Sequence, residues 1–274
     1  MCAVFQVSRS GYYKWVKRKP SLREKRRKWL KNRIRHHFHR LKKRPGSPTL
    51  TAILRDEDNC SVSSKTVSRL MKEMGLKSIT VRKYKATTNS KHSMPVHDNI
   101  LNRQFKVLAP NQVWVTDITY IATGEGWLYL ASVMDLYSRK IVGWATGARM
   151  TRELVIDALE LAYHRRKPEP GLIHHSDRGP QYACSDYQDQ LNTYQMIGSM
   201  SRKGNCYDNA CIESFHSTLK KELVYQMKFK TRKQAVDELY KYIEFYYNRA
   251  RRHSTLGYTT PHRFEQHYYE KQAS

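Results

Sequence analysis

The sequence predicts an α/β fold: a five-stranded mixed sheet with flanking helices, preceded by a small all-α region. Three observations predict it. From residue 112, three consecutive runs are rich in β-branched and aromatic residues, with turn residues between them. Beyond residue 150, helix-like and strand-like runs alternate. Ahead of residue 110 the apolar residues recur only at helical spacing, and the charge is lopsided. Residues 1–110 carry 28 Lys/Arg against 6 Asp/Glu, a net of +22, whereas residues 111–274 carry 22 against 18.

Residues 1–45 read as a basic helical region. Within it SLREKRRKWLKNRIRHHFHRLKKR (21–44) has helix-forming composition, with Trp29, Leu30, Ile34 and Phe38 spaced to share a face, Ser21 as a cap and Pro45-Gly46 as a stop. His36, His37 and His39 lack paired cysteines at finger spacing and are assigned to the basic face rather than to zinc. Residues 46–78 read as a helix-turn-helix. Pro48 opens TLTAILRDE, and Ser63 or Ser64 caps SKTVSRLMKEM, where Val67, Leu70, Met71 and Met74 form an inward stripe before the stop at Gly75. Lys65, Ser68, Arg69 and Lys72 are left facing outward, as a recognition helix requires. Residues 79–110 are polar, basic and poorly periodic, and are expected to form a linker punctuated by Pro95 and Pro110.

The larger region, 111–264, begins with QVWVTDITYI (112–121), turns at Gly124-Glu125-Gly126, and continues with WLYLASVMD (127–135) and KIVGWA (140–145) as second and third strands. A helix over 152–166, a strand over 171–176, a helix over 184–194, a strand over 195–201, a helix over 208–222 and a long helix over 231–248 follow. Three meandering strands and then alternating helix and strand is the element order of a ribonuclease-H-like sheet. Residues 265–274 read as a tail.

A net charge of +26 repels itself unless an anionic partner neutralises it, and nucleic acid is the commonest such partner. No apolar run reaches 18 residues and no signal peptide opens the chain, which argues against a membrane. Five cysteines without a CxxC pair fit a reducing compartment, and a cytoplasmic, nucleoid-associated location is expected.

Three carboxylates stand out. Asp117 interrupts an otherwise apolar strand, where a charge is costly unless paired or bound to a cation. Asp177 sits where the strand GLIHHS opens into a loop, and Glu213 lies on a helix whose neighbouring face carries Asn209, His216, Ser217 and Lys220. Phosphodiester chemistry by a metal nuclease needs such acids converging on two hard cations, which makes Mg²⁺ or Mn²⁺, two ions per site, the expected cofactor. Asp135 ends the second strand and reads as structural. Lys220 is placed to touch DNA phosphate, and Arg249, Arg251 and Arg252, beside Tyr246 and Tyr247, suit a nucleic-acid surface.

The stretches WVTDITYI (114–121), VMDLYSRKIVGW (133–144), HSDRGPQY (175–182), SMSRKGNCYDNACIESF (199–215) and YYNRARRHSTLGYTTPHRF (246–264) resemble insertion-sequence transposases of the IS-three type, whose cores resemble retroviral integrases. The resemblance implies a DDE triad at Asp117, Asp177 and Glu213 serving as catalytic and metal-binding residues. It implies 3′-end cleavage and strand transfer on double-stranded DNA, with transposon terminal repeats and target as partners, self-association, and a circular intermediate. It also implies dependence on an upstream segment, the upstream-frame product of the same element. Two rival readings are a catalytically inert DNA-binding regulator of the same element and a ribonuclease-H-fold nuclease acting on hybrids.

Overall fold

The computed structural model describes residues 2, 4–6, 8–80, 97–202 and 205–273, the side chain of Cys206 excepted. Pro95 and Gly204 lie outside the described residues. The chain divides into two compact units, Met1–Ser78 and Ile79–Ser274.

The first unit is all helix: α1 (Arg9–Val16), α2 (Leu22–Arg40), α3 (Ser47–Glu57) and α4 (Ser64–Glu73). A capping box starts α2: Ser21 Oγ accepts from the Glu24 amide and Glu24 accepts from the Ser21 amide. Ser63 caps α4 by accepting from the Thr66 amide at 3.2 Å. Leu30, Ile34 and Phe38 of α2 pack with Leu50 and Leu54 of α3 and Val67, Leu70 and Met71 of α4. The expected inward stripe of α4 is observed, and Gly75 ends the helix at φ +66°.

Two expectations for α2 are corrected. Trp29 is 43% exposed, because it precedes Leu30 by one residue and so stands about 100° round the helix from the buried stripe. His37 is not on the basic face but fully buried, with Nε2 2.8 Å from Asp58 Oδ2. Arg33 donates to the same carboxylate and Arg40 to Glu57, so acids of α3 tie the two helices together. Burial pushes the His37 imidazole below its ordinary pKa, against the pull of Asp58.

In the second unit five strands lie in the order β3-β2-β1-β4-β5. Strands β1 (Val113–Thr123), β2 (Gly126–Asp135) and β3 (Ile141–Gly147) form an antiparallel meander; β4 (Ile173–Ser176) joins β1 in parallel, and β5 (Ile197–Met200) joins β4 in parallel. Alternation sends Trp114, Ala131, Val133 and Val142 to one face, beneath α5 (Arg152–Arg166), α6 (Pro180–Ala183) and α7 (Ser185–Thr193). Val113, Val115, Ile121, Leu128 and Leu130 go to the other, beneath α8 (Ala210–Glu222) and α9 (Arg232–Tyr240). The long final helix of the core region is confirmed, with a change of pitch: α9 continues into a π-helical stretch, Lys241–Tyr247, which buries Tyr242, Ile243 and Tyr247. Gly143 lets α5 come down onto β3, since a Cβ there would collide with the Ala158 carbonyl and with Ala162.

Two boundaries also move. Residues 97–110 are not a free linker. Leu101 is 3% exposed and packs in the α8-side core with Phe105 and Val107, and the Ser199 hydroxyl accepts from the amides of Ile100 and Leu101. The expected tail belongs to α10 (Pro261–Ala273), whose Glu265 is buried against Arg166, Lys140 and Ser138. A polar segment escapes apolar-periodicity reasoning when a buried ion pair holds it. Among the described residues no helix is long and apolar enough to cross a membrane. Cys2, Cys60, Cys184 and Cys211 form no disulfide.

Gly143→Ala is expected to destabilise the second unit by about 1–3 kcal/mol through overpacking, read as a lowered midpoint in urea. A second expectation concerns acid. His174 is fully buried and its pKa is depressed to about 3, chiefly by burial. In the unfolded chain it titrates near 6.5, so between these values the unfolded state holds the extra proton and stability is lost as pH falls below about 6.5. The loss is about 1.4 kcal/mol per pH unit for this group. Thermal melts between pH 7.5 and 5.5 should show the trend, with a shallower slope in His174→Gln.

Candidate active site

Strand β1 carries Asp117 two residues beyond Val115, which pairs with His175 of β4. Asp177 follows directly on the end of that parallel strand at Ser176, and its carboxylate and that of Asp117 both act on the Tyr182 hydroxyl. Helix α8 runs along β1 on one face of the sheet. At its start the Asn209 amide group donates to the Thr116 carbonyl at 3.0 Å. Two turns on, His216 Nδ1 lies 3.3 Å from Asp117 Oδ2, and His216 Nε2 is hydrogen-bonded to Ser132 of β2 at 3.3 Å. Another turn on, the Lys220 ammonium sits 4.6 Å from the centre of the Tyr120 ring.

The electrostatics place Glu213 in the same neighbourhood. Its carboxyl is pushed above the ordinary value, first by desolvation and then by the Asp117 charge. The residue is nevertheless open to solvent, and Asp117 and Asp177 are partly so, which leaves the group accessible to a large substrate. Burial holds the Tyr182 hydroxyl well above the ordinary tyrosine range, with smaller contributions from Tyr187 and from the Asp117 and Asp177 charges, so both acids act on this one group. Burial lowers the Lys220 ammonium, opposed by Tyr120 and by Asp117.

The three acids are gathered without being closed onto one point. Asp177 Oδ1 accepts from the Gly179 amide at 2.9 Å, within its own turn. Among the described residues, no three His, Cys, Asp or Glu side chains converge closely enough to hold a metal ion. The donor chemistry nonetheless fits a hard divalent cation: Asp117 and Glu213 are mutually repelling oxygen donors, and a cation between them removes the repulsion. Asn209 fits as well, since its Oδ1 is buried and without a hydrogen-bond partner in the described structure.

The other acids and bases resolve into structural roles. Asp135 is fully buried, accepts from the amides of Asn111, Tyr137 and Ser138, and faces Arg166. His175 bonds Ser199 and Ser201 through its two ring nitrogens. Asp208 is a knot that sequence reasoning missed. It accepts from the Arg202 amide and guanidinium, from Arg103 and from Asn99, tying the segment before β1 to the entry of α8. These partners hold its carboxyl far below the usual range. An aspartate between tyrosine and asparagine in a loop carries no periodicity to reveal this.

Among the expected DNA contacts, Lys65, Ser68, Arg69 and Lys72 are all exposed on α4. Arg249 is exposed, and Arg252 donates to the Tyr258 carbonyl. Arg251 is corrected: it is turned inward onto Glu222, which also accepts from Tyr242, and the ion pair raises its already high pKa despite burial. Its charge is spent inside the fold.

Comparison with known proteins shows the family. The family described as "Integrase core domain" matches residues 108–206, a second of the same description matches 195–261, and "HTH-like domain" matches 24–84. The insertion element IS600 uncharacterized 31 kDa protein of Shigella sonnei is 47% identical over 273 residues, covering the whole of both chains. Transposase InsF for insertion sequence IS3A of Escherichia coli (strain K12) is 43% identical over 97% of this chain and 92% of its own length. Among solved structures, the HTLV-2 integrase catalytic core domain in complex with magnesium is similar over 58% of this chain and 98% of that one, with 17% identity and a TM-score of 0.44. The catalytic core domain of BIV integrase covers 60% and 99%, with 17% identity and a TM-score of 0.45. Near-full-length identity of this order to InsF, together with the core and HTH-like matches, means that the chain belongs to the insertion-sequence transposases of the IS3 type.

Proposed function

We propose that the chain is a DNA transposase that cleaves the 3′ ends of its element and joins them to a second DNA strand, with Asp117, Asp177 and Glu213 as the catalytic carboxylates. The observation that carries this is that Glu213 on α8, its carboxyl raised by burial and by the Asp117 charge, shares the site with Asp117 of β1, while Asp177 follows the end of the parallel strand beside β1. Carboxylates that repel one another at a solvent-open site are a cost to the fold, and a bound cation offsets it.

The residues present fit a pair of divalent ions, Mg²⁺ or Mn²⁺, held by the three carboxylates. When bound, such ions supply activation of the attacking oxygen and stabilisation of the leaving oxygen. The chain's own contribution is positional. His216, fixed by Ser132, lies against Asp117, and Asn209 fastens the start of α8 to β1. Lys220 carries positive charge to the rim of the site, where a scissile phosphate and its neighbours are anionic. In cleavage a water oxygen bonds to phosphorus and the P–O3′ bond breaks, leaving a 3′-hydroxyl. In transfer that hydroxyl bonds to a second phosphorus and displaces its O3′. No side chain becomes covalently attached. Double-stranded DNA is engaged by Lys65, Ser68, Arg69 and Lys72 of α4, and by Arg249 and Arg252 near the core's C-terminal end. Self-association and pairing with an upstream-frame product complete the proposed assembly.

Asp117→Asn is expected to lower end cleavage by about a thousandfold or more in Mg²⁺ while duplex binding persists. Cleavage at the parent rate by that variant would remove Asp117 from the chemistry. Glu213→Gln should also be inactive, yet in metal-free buffer at pH 7 it should melt slightly above the parent protein. The folded state disfavours the Glu213 anion, so neutralising that side chain removes a repulsion. A lower melting temperature in metal-free buffer would contradict the repulsion on which the reading rests.

A further inference from the structure

Between α2 and α4, within the first unit, lies a cleft of about 330 Å³ lined by the side chains of Arg23, Arg26, Arg27 and Arg69. Its floor is apolar, formed by Leu30 and Leu70, and its far wall is the first turn of α4 at Ser63 and Thr66. Four arginines around one concave space differ from a basic helix face, which spreads its charges into solvent. Such grouping concentrates the potential and costs stability unless an anion occupies the space.

Among the cleft arginines the nearby acids neutralise only Arg27. Glu73 is taken by Arg27 at 2.6 Å and by Lys31 at 3.0 Å. Glu24 is folded back onto the Ser21 amide in the capping box of α2. Among the described residues, no carboxylate lies within ion-pair distance of Arg23, Arg26 or Arg69. Arg26 is also pre-set, since its guanidinium donates to the Ser61 carbonyl at 3.0 Å, which fixes the fork before any ligand arrives. The capped start of α4 adds the positive end of a helix dipole to the same wall.

We propose that this cleft seats one backbone phosphate of duplex DNA, an inference that rests on the DNA-transposase reading and deepens it. The lining offers no aromatic ring on which a base could stack, so recognition stops at the phosphate and its sugar. The seat flanks the outward face of α4, where Lys65, Ser68 and Lys72 are exposed, so a phosphate gripped there fixes how that helix meets a groove.

The test measures binding of the full chain to a short mixed-sequence DNA duplex over a range of salt concentrations. Three proteins are compared: the parent, Arg23→Gln/Arg26→Gln, and Lys25→Gln/Lys28→Gln. The last pair removes the same charge from exposed positions of the same helix outside the cleft. The cleft pair should reduce the slope of log affinity against log salt by about 0.9, the signature of one lost phosphate contact. The control pair should change it by less than half as much, and Arg23→Lys/Arg26→Lys should restore most of the slope. Equal losses in the two Gln pairs would overturn the seat in favour of a diffuse basic field, and an unchanged slope in the cleft pair would overturn it outright. Thermal melts report folding. If the double variant is unfolded, Arg23→Gln alone is read by the same criteria, because Arg23 makes no hydrogen bond within the described structure. A parent protein that fails to bind duplex at low salt would instead sink the underlying DNA reading.

Discussion

The fold of the second unit is arranged around a carboxylate in the middle of a strand. Asp117 sits on β1, the central strand of the sheet, with α8 lying along the same face. An anion there must be solvated, paired or bound to a cation, and the structure supplies the first two in part. Its side chain keeps 20% of its surface in water, and His216 stands 3.3 Å away. Lys220 adds positive charge at longer range. Glu213 works against this arrangement, since it brings a second negative charge that the fold pushes toward neutrality. A protein selected for stability alone would not keep that pair.

Helix α8 supplies the counterweight because its repeat matches the strand it covers. Asn209, His216 and Lys220 meet Thr116, Asp117 and Tyr120 in turn, while Ile212, Phe215 and Leu219 fill the core on the same side. The polar contacts line up with β1 because the apolar stripe beside them is pinned by Val113, Val115 and Ile121. Asp208 then fastens the entry to α8 through Arg202, Arg103 and Asn99. The placement of α8 on β1 thus depends on residues upstream of β1 as well as on the sheet.

What the sequence made legible follows from which forces leave a periodic trace. The five strands and the main helices were readable because burial imposes alternation along β1 and β2 and a 3.6-residue repeat along α2, α4 and α5. Asp117 and Asp177 stood out in the sequence because one breaks and the other ends such a pattern, whereas Glu213 was singled out by its helix face and by the family resemblance. Residues 97–110 and 261–273 were not, because polar anchors hold them: Ser199 and Asp208 for the first, the Arg166–Glu265–Lys140 cluster for the second. The closure of Asp177 onto the other two acids was also beyond reach. Its carboxylate bonds the Gly179 amide, a choice set by the local turn.

Basic residues illustrate the same limit from the other side. Net charge locates a nucleic-acid partner but does not say which side chains meet it, since a guanidinium serves equally well as an interior strut. Arg251 on Glu222, Arg166 on Glu265 and Arg33 on Asp58 are each spent within their own unit. Subtracting such pairs changes the second unit most, because its 28 Lys/Arg face 19 Asp/Glu and many of its cations already have partners. In the first unit five Asp/Glu face 22 Lys/Arg. Glu24, Glu57, Asp58 and Glu73 are all engaged, and an excess of arginine and lysine remains on α2 and α4. The unmet charge is therefore local to those two helices, and a polyanion neutralises it there by contact rather than by long-range attraction, which physiological salt screens beyond about 8 Å.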